Sequence, residues 1–272
     1  MIIGLGYKRR KKTNKGVLIV MRITAFNGSP NGETGNTNIM ASAFLEGAKA
    51  GGAEVENIFL NTKEISHCKA CSSCIFSGQG KCVIRDDMGD LVQKFVESDV
   101  VVLATPLYID NISGMMKVFV DRLFCIGNPH YDSEKDEYGE YKYGKSKLYK
   151  NGTPPKAVVI SNGSYPYRSG YRTISLWANT FTRHFRLELI AEIFASQAAV
   201  FSLSKAGVKK YEPLVADLRN HLYKAGQEIA VDSKLSEETQ KLLEKDFMPI
   251  EDYFQLLNRM ADMIPAHAKE NQ

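Results

Sequence analysis

Arg22-Ile23-Thr24-Ala25-Phe26-Asn27-Gly28-Ser29-Pro30-Asn31-Gly32-Glu33-Thr34-Gly35-Asn36-Thr37-Asn38-Ile39-Met40 changes its hydrophobic period halfway along. Arg22 to Asn27 reads as a β-strand, and from Asn38 to Ala48 the apolar residues recur at helical spacing. Between them Gly, Ser, Pro, Asn and Thr make a loop. A strand feeding a helix through such a loop is the opening unit of an α/β fold. The loop also gathers backbone N–H groups under a favourable helix dipole, which suits a mononucleotide phosphate. Ser29, Asn31, Thr34, Asn36 and Thr37 add side-chain donors, while Gly28, Gly32 and Gly35 let the backbone curl around an anion. Taken alone, the loop is read more simply as a capped turn, because Ser, Asn and Thr are the commonest helix caps.

The same alternation continues along the chain. Glu54 to Leu60 alternates polar with apolar residues, as an edge strand does, and Asp87 to Glu97 is an amphipathic helix. Val100 to Ala104 is continuously apolar and suits a central parallel strand covered on both faces. Ser113 is a plausible N-cap for a helix reaching Cys125. Lys156 to Ser161 and Leu187 to Glu192 read as the fourth and fifth strands, with a helix from about Tyr171 to Phe185 between them. Residues 128–152 are polar and Tyr/Lys-rich and read as an insertion. From Val208 the chain is helical and charged, with helices expected near Tyr211 to Ile229, Ser236 to Glu244 and Ile250 to Met263. The expected fold is α/β, a doubly wound five-stranded parallel sheet with a helical C-terminal extension. Its ligand belongs at the carboxyl ends of the strands, where the loops at 28–37, 105–113 and 162–170 meet.

Composition narrows the function class. The 272 residues are 44% hydrophobic and 24% charged, ordinary for a globular protein, and the net charge is only +4. Much of that excess is the run Lys8-Arg9-Arg10-Lys11-Lys12, so neither nucleic acid nor a membrane is expected as a partner. Residues 1–20 are expected to be a basic tail outside the fold, with Met21 as an alternative start. No apolar run approaches a membrane span, and a cytoplasmic protein is expected. The loop at 28–37 contains neither a dinucleotide Gly-x-Gly-x-x-Gly nor a Gly-Lys-Ser/Thr phosphate pattern.

Two further features carry chemistry. Thr105-Pro106-Leu107-Tyr108-Ile109-Asp110-Asn111-Ile112-Ser113-Gly114 combines a rigid turn, an aromatic ring and backbone groups ahead of a helix, the makings of a slot for a flat heteroaromatic ring. Four of the five cysteines, Cys68, Cys71, Cys74 and Cys82, fall in one short segment. Clustering of this kind points to metal or redox chemistry, and four thiolates suit either an iron-sulfur cluster or structural zinc. Cys125 is expected to be a buried small hydrophobe, His67 a surface residue and Trp177 a packing residue.

Together, Gly-Ser-Pro-Asn…Gly-Asn-Thr after the first strand and Thr-Pro-Leu-Tyr…Ser-Gly-Met-Met-Lys-Val-Phe-Val-Asp-Arg after the third resemble the NADPH-dependent FMN reductase and flavodoxin-like group. The resemblance covers about Arg22 to Ala195. It implies FMN phosphate at Ser29, Asn31, Thr34, Asn36 and Thr37, the ring against Pro106, Leu107, Tyr108 and Ile112, and Asn162, Gly163 and Ser164 near the ring's other edge. The cysteine spacing resembles that of the iron-sulfur flavoproteins of the same group, which implies a [4Fe-4S] cluster on Cys68, Cys71, Cys74 and Cys82. Asp121 and Arg122 are expected to form an ion pair that anchors their helix. The implied protein is a homodimer or homotetramer with an FMN domain at 21–207 and a helical region at 208–272. It exchanges electrons with a ferredoxin-like carrier. The alternatives are an NAD(P)H-dependent flavin or quinone reductase without a working cluster, and a non-enzymatic flavodoxin-like binding module.

Overall fold

The computed structural model describes residues 13–14, 17–18, 20–77 and 80–262. The basic run at 8–12 and Met263 lie outside them. Five parallel strands form the sheet: β1 (Arg22–Asn27), β2 (Glu54–Phe59), β3 (Val100–Pro106), β4 (Lys156–Asn162) and β5 (Glu188–Ala195), in the order β2-β1-β3-β4-β5. The order reverses at β1 and β3, whose carboxyl ends pair Asn27 with Ala104, so a crevice opens where the first and second loops leave the sheet. Every residue of β3 is buried, as its unbroken apolar run requires. β2, with its alternating sequence, is an edge.

Side chains alternate across the strands and divide the core in two. On one face Ile23, Ala25, Val102 and Ile160 pack under α1 (Asn36–Ala50) and the long helix Glu212–Asp232. On the other, Phe26, Val101, Leu103 and Val159 pack under α2 (Met88–Glu97), α3 (Gly114–Arg122) and α4 (Arg172–Phe185). Phe26 stacks on Phe119 at 4.7 Å between ring centroids. The doubly wound sheet is therefore as expected, with strand bounds shifted at the ends. The fifth strand runs on to Ala195, and the α3 helix tightens into a 3-10 turn at Leu123–Ile126.

Two parts differ from the sequence reading. A seven-residue helix, α5 (Ala199–Lys205), follows β5 where no helix was expected. The insertion contains a small antiparallel hairpin, Tyr131–Lys135 with Tyr141–Tyr143, held to the end of α4 by Arg183 and Arg186 through Asp132, Glu134, Asp136 and Glu140. After α6 (Glu212–Asp232), the chain adds α7 (Glu237–Leu243) and α8 (Ile250–Asp262). Among the described residues no helix is long and apolar enough to cross a membrane.

Candidate functional site

The first loop folds back on itself. Ser29 N–H donates to Asn27 Oδ1 at 3.0 Å, Asn31 N–H to Ser29 Oγ at 3.3 Å, and Gly32 N–H to Ser29 O at 3.0 Å. Gly35 is the N-cap of α1 and no side chain caps it. The sequence left open a capped turn, and the structure does not have one. The N–H groups of Asn36 and Thr37, in the first turn, have no intrahelical acceptor. A Cβ on Gly35 would lie 2.7 Å from Ser29 Oγ, so the backbone passes too close for any side chain. Asn27 Nδ2 and Asn36 Oδ1 are buried without a hydrogen-bond partner among the described residues. Unpaired buried polar atoms are costly, and here they flank an uncapped helix end, a combination that fits a bound anion with hydroxyls attached.

The candidate residues of this loop divide by what their side chains already do. Ser29 and Thr37 are buried, and each hydroxyl accepts a bond, from Asn31 N–H and from Asn162 Nδ2 at 2.8 Å, which leaves its proton to give. Asn36 Nδ2 donates to Ala198 O at 3.2 Å, so this amide ties the loop to α5. Thr34 Oγ1 donates back to Asn31 O at 3.0 Å, and both residues are exposed. Asn27, at the end of β1, was missed by sequence reasoning, because a polar strand terminus carries no loop signal.

Direct bonds join the three loops. Ser113 caps α3 through Met116 N–H, as expected, and its Oγ also donates to Gly28 O at 2.6 Å. Gly28 N–H donates to Ala104 O, and Leu107 N–H to Asn162 O, both at 2.8 Å. Pro106 and Ile112 are buried, Leu107 is half-buried, and Tyr108 is 46% exposed beside them. Gly163 passes close to the Leu107 side chain, where a Cβ would come within 3.0 Å. Ser164 is exposed and its carbonyl accepts from Tyr253 of α8 at 3.0 Å. The first, second and third loops thus form one cross-linked rim at the carboxyl edge of the sheet.

The cysteine segment leaves the same edge after β2. Cys68 and Cys71 are exposed, Cys74 and Cys82 half-buried, and Cys125 buried. Ala70 and Ser72 take positive φ of 50° and 54°, so the chain winds tightly between the thiols. The side chain and backbone of Ser73 draw the Cys71 thiol below its usual value. Burial, and then the charges of Cys82 and Cys68, push Cys74 up. Burial followed by Cys74 and Cys82 pushes Cys125 up to about 12, in keeping with an inert packed thiol. Like charges resist ionising together, and a bound cation removes that resistance. Among the described residues no three His, Cys, Asp or Glu side chains surround one point as a single ion requires. A four-iron cluster makes a different demand, with each thiolate on its own iron, and the donor set suits it chemically.

The Asp121–Arg122 pair expected from the sequence is corrected. Asp121 pairs with Lys117 one turn earlier on the exposed face, whereas Arg122 turns inward to Asp86. Adjacent helical residues point in different directions and cannot face each other. His67 is exposed and Trp177 stacks on Phe181 at 5.4 Å, both as expected.

The chain is similar in sequence and in fold to known proteins. The model of the NADPH-dependent FMN reductase family matches residues 21–140. An iron-sulfur flavoprotein of Archaeoglobus fulgidus is 38% identical over 139 residues, 51% of this chain and 59% of the relative. One of Methanosarcina thermophila is 36% identical over 138 residues, 51% of this chain and 69% of that protein. The chain therefore spans about three-fifths of the length of the Archaeoglobus relative. An FMN-dependent NADH-azoreductase of Bacillus anthracis, solved with FMN, has the same fold at a TM-score of 0.51 and 18% identity, covering 78% of this chain and 98% of its own.

Proposed function

The chain belongs to the NADPH-dependent FMN reductase family, with iron-sulfur flavoproteins among its relatives, and from that premise we propose that it is an FMN-dependent oxidoreductase. The observation that carries the proposal is the uncapped N-terminus of α1, ringed by buried groups with hydrogen bonds still to make. FMN supplies the redox chemistry when bound. The chain's part is to seat and orient it. The hydroxyls of Ser29 and Thr37 and the N–H groups of Asn36 and Thr37 hold the phosphate, with Asn31 and Thr34 at its open side. Pro106, Leu107, Tyr108 and Ile112 bracket the ring, and Asn162, Gly163 and Ser164 border its other edge. Thr37→Val keeps the shape and removes one donor. A hydrogen bond to a charged group contributes about 1.5–3 kcal/mol, so FMN affinity falls roughly 10- to 100-fold in a fluorescence titration. Unchanged affinity in both Thr37→Val and Ser29→Ala would move the phosphate elsewhere.

The finer reading is that Cys68, Cys71, Cys74 and Cys82 hold a [4Fe-4S] cluster that exchanges single electrons with a ferredoxin-like carrier. It is supported by the spacing of the thiols, by the names of the relatives, and by the surface position of the segment, where Phe76 is 87% exposed. A second reading, an NAD(P)H-dependent flavin or quinone reductase without a cluster, is favoured by the description of the matching family, NADPH-dependent FMN reductase. Iron content and the visible spectrum after anaerobic reconstitution separate the two. Substoichiometric iron and a pure flavin spectrum would leave only the second.

A further inference from the structure

Beyond one helical turn, Ser73–Phe76, the described residues of the cysteine segment have no regular structure, so whatever holds its ends sets where its sulfurs lie. Both ends meet at one buried ion pair. Arg122 Nη1 donates to Asp86 Oδ2 at 2.6 Å and Nη2 to Asp86 Oδ1 at 3.0 Å, with the two side chains 1% and 2% exposed. The same Nη1 donates to Ser66 O at 2.7 Å. Asp86 in turn accepts the N–H groups of Ser66 at 2.9 Å and Met88 at 3.1 Å. Ser66 stands just before Cys68 and Asp86 just after Cys82, so the pair closes the loop that carries all four thiols.

Arg122 thereby uses three of its five N–H donors. Its Nε is buried and has no hydrogen-bond partner among the described residues. A guanidinium stripped of water and left with an idle N–H is costly unless something uses that donor. Burial alone would lower the Arg122 pKa, but Asp86 and then Cys82 raise it. Arg122 ends α3, and the same helix begins at Ser113, which holds Gly28 of the first loop. One helix therefore links the proposed flavin seat to the cysteine segment.

We propose that Arg122 is a positioning residue for the iron centre: it closes the cysteine loop through Asp86 and Ser66 and holds its charge and its idle Nε–H at the base of the loop that carries the four sulfurs. The inference rests on the cluster reading above. A cation and an N–H donor near ligating sulfurs favour the more negative, reduced form, so Arg122 raises the reduction potential. Lysine keeps the charge but loses the planar fork that spans Asp86 and Ser66.

The test compares wild type, Arg122→Lys and Arg122→Gln, each reconstituted anaerobically with iron, sulfide and FMN. Iron content, bound flavin and an EPR-monitored redox titration are read on all three. Arg122→Gln is expected to shift the iron centre at least tenfold toward the oxidised form, 59 mV for one electron, with the flavin potential unmoved. Arg122→Lys is expected to fall between it and wild type. A potential equal to wild type in an iron-loaded Arg122→Gln overturns the proposal and leaves the cluster reading standing. A wild-type chain that takes up no iron overturns both. If Arg122→Gln retains no flavin and is therefore misfolded, Arg122→Lys decides, and an unchanged potential and EPR line shape overturn the role.

Discussion

Ile109 and Asp110 form a two-residue turn with φ of 46° and 56°, across which Tyr108 and Asn111 exchange backbone bonds of 2.9 and 3.1 Å. Such a turn favours Asn-Gly, and a β-branched residue in the left-handed region is strained. Ile109 is 98% exposed, so no packing offsets the strain. Strain of this kind costs about 1–3 kcal/mol, and replacing the pair by Asn-Gly is expected to raise the urea midpoint accordingly. No gain would mean that the turn is held by something outside the chain's own geometry. Asp86 has the opposite character. Burial would raise its carboxyl, but Arg122 and the N–H groups of Ser66 and Met88 hold it below the ordinary 3.8. A carboxyl depressed on folding contributes stability that is complete above its ordinary value and is lost as pH falls through the folded one. Asp86→Asn is therefore expected to flatten the stability loss below about pH 4 while lowering stability near neutrality by about 3–5 kcal/mol, since it strands a buried cation. Chemical denaturation across pH checks both, and an unaltered acid limb would remove Asp86 from the account.

Helices α1 and α6 cross so closely that a Cβ on Gly226 would fall 1.9 Å from Phe44 O, and one on Gly47 1.8 Å from Tyr223 O. Gly226→Ala must push two backbones apart in a packed core. The expected cost is about 1–3 kcal/mol or more, read from the denaturant midpoint, and a neutral result would show that the crossing slides freely. Nothing in the sequence marks these glycines, because helical periodicity reports which face is apolar and not what lies against it. The same division runs through the rest of the fold. Arg22 to Asn27 and the loop after it are legible because the period changes from strand to helix at a polar, glycine-rich junction. The unbroken Val100 to Ala104 run is legible as a central strand for an equally local reason. α5, with the sequence Ala-Val-Phe-Ser-Leu-Ser-Lys, is too short for a repeat to emerge, and its work is tertiary, holding Asn36 through Ala198 O and Ser202 Oγ. The Arg122 partner lies 36 positions away, a separation no local pattern encodes.

In the whole molecule, α7 and α8 add no strand to the sheet, yet they close on the loop beside the proposed flavin ring. Tyr253 is buried in α8; its hydroxyl donates to Ser164 O at 3.0 Å and accepts from Ala199 N–H at 3.4 Å. Gln197, at a positive φ of 59°, is locked by two bonds to the backbone of Met248, of 3.0 and 3.1 Å. Arg168 Nη2 donates to Leu243 O at 3.0 Å, and Ser196 Oγ to Asp246 at 2.9 Å. The third loop and the turn after β5 are thus held from outside the sheet by the end of the chain. A chain ending at Asp232 keeps β1 to β5 and α1 to α6 but loses Leu235, Leu243 and Tyr253 from one core face; it is expected to unfold cooperatively with native-like far-UV dichroism. Its third loop, however, must be ordered by the ligand at the moment of binding. Each tenfold loss of affinity corresponds to about 1.4 kcal/mol, and ordering even one backbone residue costs about 1–2 kcal/mol, so FMN affinity is expected to fall by about fivefold or more. Tyr253→Phe in the intact chain removes the hydroxyl bonds but keeps the ring, and should reproduce part of that loss. Full affinity in the truncated chain would mean that the third loop is rigid by itself and that the extension serves some surface other than the flavin seat.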